Sequence, residues 1–494
     1  MKKIILFLLL GTSFIGSSQE TVVNDALRFA SDDLNGTARF RAMSGSLGAI
    51  GGDLSAININ PAGSIVFTYN TFSTTLSGLS QNNKTSYFGT KANENNFKLD
   101  INQIGAVLVF NNTNTTSKWN KMSLALNYEN THNFDNQILI RGTNPTNSID
   151  GYFLNAAQNV PFDVLTNNTF SNLYFNEQQA YLGYNSYLLE YDSNSYYSNV
   201  PNGGNYYQES YISSKGYNGK LTGNFALNYD DVFSLGMNLN LHFVDINKST
   251  SIYESNSNPE FDNGATVKRV QFENELYTYG SGFSLNLGAI AKITNQFRIG
   301  LAYESPSWYA LNEQLSQQIT VESTEDGSYF IETINPNIVT IYPTYKVKTP
   351  SKLTASAGYV FGNKGFINID ITSKDYSSTK FKPKNDYANL NSFMKTNLKS
   401  TLSYNIGGEY KIKQVSVRAG YRFDQSPYAA TNSMSDLVGY SGGLGYSFNN
   451  ARLDLSYSKS HRDYNQSIIT SGMNDQAQVN NNKNSVSLSY SVTF

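Results

Sequence analysis

The sequence predicts an all-β protein: a transmembrane antiparallel β-barrel of about 14 strands with an N-terminal hatch (plug) inside the lumen. Three observations carry that prediction. The body of the chain alternates apolar and polar residues with period two, its connections alternate short and long, and a glycine-rich apolar segment precedes the first strand. Composition sets the frame: 39% hydrophobic and 15% charged residues are both low for a globular chain, while aromatics reach 14%. A mean hydropathy of −0.40 excludes a helical membrane protein, because a spanning helix needs about 20 mostly apolar residues. A net charge of −2 provides no basic field, so nucleic acid is not expected as a partner. Cysteine is absent, which removes disulfides, thiol nucleophiles, Cys-ligated metals and a lipid-modified cysteine.

The N-terminus has the layout of a secretory signal peptide. Lys2 and Lys3 precede the apolar run Ile4 to Leu10, and the small residues Gly16-Ser17-Ser18 follow. Residues 1–18 are expected to be removed, with the mature chain starting near Gln19.

The strands are then read in order. Phe233, Leu235, Met237, Leu239, Leu241 and Phe243 alternate with Ser234, Gly236, Asn238, Asn240 and His242. One face is apolar, and the length matches the roughly 9 to 11 residues that a tilted strand needs to cross hydrocarbon. The same pattern recurs over 402–410, 415–424 and 452–458. It is sharpest at the end, where Val486, Leu488, Tyr490, Val492 and Phe494 alternate with serines and Thr493. A strand ending on Phe494, with Tyr490 behind it, resembles the C-terminal assembly signal of outer-membrane barrels, which implies the barrel assembly machinery as a partner.

Strands are predicted near 65–79, 98–110, 121–133, 219–230, 232–248, 270–293, 296–304, 346–361, 364–375, 400–411, 413–423, 438–449, 451–461 and 484–494. Short turns follow the even strands. Long polar loops follow the odd ones, at 80–97, 134–218, 249–269, 305–345, 376–399, 424–437 and 462–482. An outer-membrane barrel has this alternation, with tight periplasmic turns and long external loops. Tyr128, Tyr229, Phe243, Tyr303, Tyr359, Tyr410 and Tyr457, near strand ends, would form interfacial girdles facing outer-membrane lipid, although a soluble sandwich core would hold them equally well.

Ahead of the barrel, Gly36 to Ser64 loses the alternation. Glycines 45, 48, 51 and 52 suit tight turns, while Arg39, Phe40, Met43, Leu47, Ile50, Leu54, Ile57 and Ile59 make the segment too apolar for a disordered linker. A compact plug over residues 19–64 fits, followed by a barrel over 65–494.

This segment closes on Asn60-Pro61-Ala62, directly before the first strand, and resembles the hatch of the FadL family of outer-membrane transporters. Arg418-Ala419-Gly420, Ser426-Pro427, Gly445-Tyr446-Ser447-Phe448 and Thr349-Pro350 with Gly358-Tyr359 are similar to that family's later strands. The resemblance implies a monomeric passive transporter of hydrophobic small molecules, long-chain fatty acids foremost, in the outer membrane of a Gram-negative bacterium. It implies capture among external loops, passage to a pocket inside a hatch-gated barrel, and sideways exit beside a kinked third strand, with a shift of the hatch N-terminus gating release. The third strand here, Lys121 to Asn133, contains neither Gly nor Pro, so a break would fall in Asn130 to Asn133. FadL-like barrels also serve as protein-docking shuttles in type IX secretion, and a hydrocarbon or haem uptake channel is a further alternative.

Other chemistry is weakly signalled. Gly439-Tyr440-Ser441-Gly442-Gly443 matches a hydrolase pattern but sits in strand followed by strand, without the strand-to-helix elbow catalysis needs, so no enzyme is expected. His132, His242 and His461 lie far apart, and neither a metal site nor a cofactor is expected. Arg298, Arg418, Arg422 and Arg452 share inward positions with Glu304, Asp370, Glu409, Asp424 and Asp454. They form either a mutually paired ladder or, at Arg418 or Arg422, a contact for a ligand carboxylate.

Overall fold

The computed structural model describes residues 23–114, 116–430 and 433–494; the expected signal peptide lies outside them. Fourteen wall strands, each paired antiparallel with the next, close a barrel. They are β1 Thr71–Tyr87, β2 Thr90–Asn111, β3 Trp119–Asn133 resuming at Asn136–Asn144, β4 Tyr206–Tyr229, β5 Phe233–Ser255, β6 Thr266–Lys292 and β7 Phe297–Glu304 resuming at Trp308–Glu325. They continue as β8, in segments Ser328–Ile334, Thr340–Lys348 and Lys352–Val360, then β9 Gly365–Asp375 and β10 Ser400–Ile412. The last four are β11 Val415–Asp424, β12 Leu437–Phe448, β13 Ala451–Ser467 and β14 Gln476–Thr493. Closure comes from β1 on β14, in register from Thr71↔Thr493 to Ser86↔Gln478.

Period two explains the wall. Along β5 the outward residues Phe233, Leu235, Met237, Leu239, Leu241 and Phe243 are all exposed, and the inward Asn238, Asn240 and His242 are buried. The exposed side is the lipid face, where apolar side chains are favoured and unpaired backbone groups are not tolerated. Of the expected girdle, Phe243, Tyr303, Tyr359, Tyr410 and Tyr457 stand exposed on that face, and Tyr490 and Phe494 join them. The Phe494 amide donates to Asn70 O at 3.0 Å and ties the chain end to the start of β1.

The long connections differ from expectation. Most of 80–97, 249–269, 305–345 and 462–482 is strand, because the wall extends past the apolar band while its outward positions turn polar. Between β1 and β2 only Phe88 and Gly89 form the turn, both at positive φ. Pro306 and Pro350 interrupt β7 and β8 without ending them, as expected of a residue lacking a ladder N–H. The connection 145–205 is a true cap. Its helices Asp150–Ala157, Phe162–Asn167 and Phe175–Asn185 pack Tyr152, Phe153, Leu165 and Leu182 over the barrel mouth, against Phe272, Ile319 and Val479 of the wall.

The hatch fills the lumen from inside. Helix α1, Val23–Ala30, places Leu27 and Phe29 in a cluster with Phe134, Val244, Tyr309 and Phe381. Helix α2, Ala38–Ala42, is capped by Thr37, whose Oγ1 accepts from the Phe40 amide at 3.1 Å. A last turn, Pro61–Val66, is capped by Asn60.

Candidate functional site

Asn60-Pro61-Ala62 is a docking element. Buried Asn60 accepts from the Ala62 amide with Oδ1 at 3.1 Å and donates with Nδ2 to Gly48 O and Ala289 O, each at 3.0 Å. One side chain thus caps a turn, braces the hatch loop and grips β6. Pro61 supplies the first residue of the turn, where no N–H is needed. Wall glycines permit the approach: a Cβ on Gly288 would lie 2.1 Å from Asn60 Oδ1, and one on Gly236 would lie 2.4 Å from the Ala62 nitrogen. Gly407, Gly420 and Gly443 admit Ala42 and Met43 on the opposite side in the same way.

Above the hatch lies a cavity of about 890 Å3. Leu27, Phe134, Ile138, Ile212, Ile246 and Phe393 give it apolar surface. Its wall strands also carry seven cations (Lys220, Lys248, Lys352, Lys374, Arg422, Arg462 and Lys483) against three carboxylates, Glu129, Glu304 and Asp424, among the described residues. Part of the excess is met from the hatch arm, residues 31–36, by Asp32 and Asp33. Asp32 reaches Lys352 at 2.7 Å and Lys374 at 3.1 Å. Asp33 reaches Lys483 and His132, both at 3.1 Å. Desolvation within the lumen works to raise both aspartates, but Lys352 and Lys374 outweigh it at Asp32, which is held well below the usual carboxylate range, and His132 and Lys483 outweigh it at Asp33, which is held at about 2.

The structure separates the two arginines singled out in the sequence. Arg418 has no exposed side-chain surface; it pairs with Glu409 at 2.6 Å and Asp454 at 2.8 Å. Arg452 and hatch Arg39 join the same cluster, at 3.2 and 2.9 Å from Glu409. Arg418 is therefore part of the paired ladder beneath the hatch, remote from the cavity lining, and its position does not fit a ligand contact. Arg422 does line the cavity, held by Asp424 at 2.6 Å and donating to the Asp32 carbonyl at 2.7 Å. Ser441 of the hydrolase-like pattern bonds Ser44 and the Ala42 carbonyl, at 2.8 and 2.9 Å, and so serves hatch packing.

One side of the cavity reaches a break in the wall. β3 parts from β2 after Glu129 and shifts register against β4 between Asn130 and His132, within the expected Asn130 to Asn133 and without Gly or Pro; a second gap follows at Phe134-Asp135. At that gap side-chain competition acts: Asn133 Oδ1 accepts from the Asp135 amide at 2.8 Å, an Asx turn that interrupts the strand. The residues of β2 that precede Gln103 have no β3 partner, because the β2–β3 register already ends at Gln103↔Glu129. Side chains span the break instead, Lys98 to Asp135 at 3.3 Å and Asn130 to Asp100. Asn102, bulged out of the β1 register, accepts from the Gly36 amide at 2.6 Å and pins the hatch arm to this edge.

Sequence reasoning missed Asp32, Asp33, Lys352, Lys374 and Lys483. The dipeptide Asp32-Asp33 beside an apolar plug was the available signal, whereas nothing in one dimension placed three lysines around it. Among the described residues no group of His, Cys, Asp and Glu could hold a metal ion.

Residues 21–494 match the family model described as "Outer membrane protein transport protein (OMPP1/FadL/TodX)". Two solved structures share the fold. A Pseudomonas aeruginosa FadL homologue has 13% identity over 94% of this chain and 99% of that one, with a TM-score of 0.53. The P. putida toluene transporter TodX has 15% identity over the same shares, with a TM-score of 0.51. No curated protein sequence matches the chain.

Proposed function

The chain belongs to the OMPP1/FadL/TodX family of transport proteins of the Gram-negative outer membrane, and from that premise we propose that its cargo is long-chain fatty acid, taken up passively. The observation that carries this reading is the mixed lining of the cavity. Its apolar surface suits an acyl chain, and the cation-rich wall suits one carboxylate. A purely hydrocarbon solute has no use for seven wall cations.

The path follows from the same geometry. An apolar chain gains nothing from a watery pore, so a route that stays greasy and opens toward lipid is favoured. The break between β2 and β3 lies beside the cavity, at Phe134, and supports sideways release. The hatch below, docked on wall glycines, supports closure of the straight route to the periplasm.

The test is direct binding by the full barrel in detergent, with radiolabelled laurate, oleate, toluene and haem as probes. Saturable binding of the two carboxylates, with toluene far weaker, is the expected result. Saturable toluene binding without laurate binding would move the cargo to uncharged hydrocarbons. No saturable binding of any probe would favour a protein-docking barrel instead.

A further inference from the structure

Lys352 and Lys374 are register partners on β8 and β9, both at lumen-facing positions. Like charges directly opposite each other destabilise a strand pair, so such a pair needs an anion between its members. Glu304, at 3.3 Å, serves Lys352 alone. The shared anion is the Asp32 carboxylate, one oxygen toward each ammonium, at 2.7 and 3.1 Å. Exposure shows which side faces the cavity. The Asp32 side chain is 52% exposed, whereas those of Lys352 and Lys374 are 19% and 7% exposed. The cations lie behind, and the carboxylate covers them.

We propose that Asp32 is an internal stand-in for the carboxylate of the ligand: it occupies a site built by Lys352 and Lys374, and an arriving anionic amphiphile displaces it and frees the hatch arm. The proposal rests on the reading of this cavity as an amphiphile site and adds the residues and regulation that reading lacks. The exchange conserves local charge, because one carboxylate leaves as another enters, so neither state strands the lysine pair. It also gives binding a structural consequence. The arm is held at Asp32 by Lys352, Lys374 and Arg422, and at Gly36 by Asn102 on the edge of the wall break. Losing the first hold leaves the arm on Asp33, paired with Lys483 and His132, and on Gly36 beside the proposed exit.

The test uses the full barrel in detergent with radiolabelled laurate, and dodecanol as an uncharged probe of the same chain length. Asp32→Asn, which removes the competitor, should bind laurate about tenfold more tightly than the native protein with dodecanol unchanged. Lys352→Met with Lys374→Met should bind laurate about tenfold more weakly, again sparing dodecanol, and adding Asp32→Asn to it should restore nothing. The chain has no cysteine, so a nitroxide on Ser31→Cys reports the arm with Asp32 left in place. Laurate should raise its mobility, and dodecanol at equal occupancy should not. If the native protein binds laurate but Asp32→Asn binds it no better, or the nitroxide ignores laurate, the stand-in is overturned while the transport reading survives. If neither native protein nor Asp32→Asn binds laurate or dodecanol saturably, the transport reading falls and takes this one with it.

Discussion

Asn60 and Gly288 define how the hatch is seated: the Asn60 carboxamide oxygen lies only 2.1 Å from where a Cβ on Gly288 would stand, too close for any side chain there. The wall is notched at the point where the hatch motif must turn. Asn60 could not hold both Gly48 O and Ala289 O from farther out, since hydrogen bonds weaken beyond about 3.2 Å.

Filling that notch should unseat the hatch without breaking the barrel. Gly288→Leu is expected to keep the folded barrel's electrophoretic shift on heating, yet raise ion leakage across planar bilayers well above the native level. An unchanged leak would mean that the hatch is held elsewhere. Asn60→Ala should act in the same direction but more mildly, at a cost of about 1–3 kcal/mol for buried groups left unpaired.

The two lumen arginines should separate cleanly. Arg418→Met strands part of a buried carboxylate pair, Glu409 and Asp454, and should destabilise the protein by about 3 kcal/mol. Its laurate affinity should change little. Arg422→Met should do the reverse, lowering laurate affinity severalfold with a smaller effect on stability. Denaturant melts and laurate titrations of both variants check this, and equal loss of affinity in the two would contradict the geometry.

The wall break should be the exit. Lys98→Cys with Asp135→Cys places two thiols across it in a chain that otherwise has none. A cleavable bismaleimide bridging them should leave laurate binding intact but stop its delivery into liposome membranes, and cleavage of the linker should restore delivery. Delivery that continues through the bridged protein would exclude this route.

Acid should release the hatch arm. Asp33 lies in the hatch, outside the spanning strands; burial works to raise its pKa, but His132 and Lys483 outweigh it and hold it at about 2, below the ordinary 3.8. The folded form therefore binds fewer protons than the unfolded one near pH 3. The stabilisation is complete above about pH 4 and is lost as pH falls through about 2. A nitroxide on Ser31→Cys should stay ordered down to pH 4 and loosen toward pH 2, while Asp33→Asn should already be loose at pH 6. An arm equally ordered at pH 2 would show that Asp33 does not hold it.

The barrel was legible in the sequence because lipid imposes a one-dimensional signal. Every spanning strand must show an apolar residue at each second position, as Phe233 to Phe243 and Val486 to Phe494 do, and any residue can be assigned to a face from its neighbours alone. Asn60-Pro61-Ala62 was legible for a related reason, since a capped turn is local chemistry. Strand ends above the membrane were not, because polar outward positions there look like loop; hence 80–97 reads as a connection and folds as a hairpin. The break in β3 falls where it parts from β2 after Glu129 and shifts register between Asn130 and His132, and no glycine or proline of β3 marks it. Inward positions are the extreme case. Arg418 and Arg422 look alike in sequence, four residues apart on one face, and only the seating of the hatch puts one under it and the other beside the cavity. The meeting of Asp32 with Lys352 and Lys374 joins residues more than 300 positions apart. Side-chain period says which way a residue points, but what it meets there is decided by closure of the barrel and by the segment that fills it.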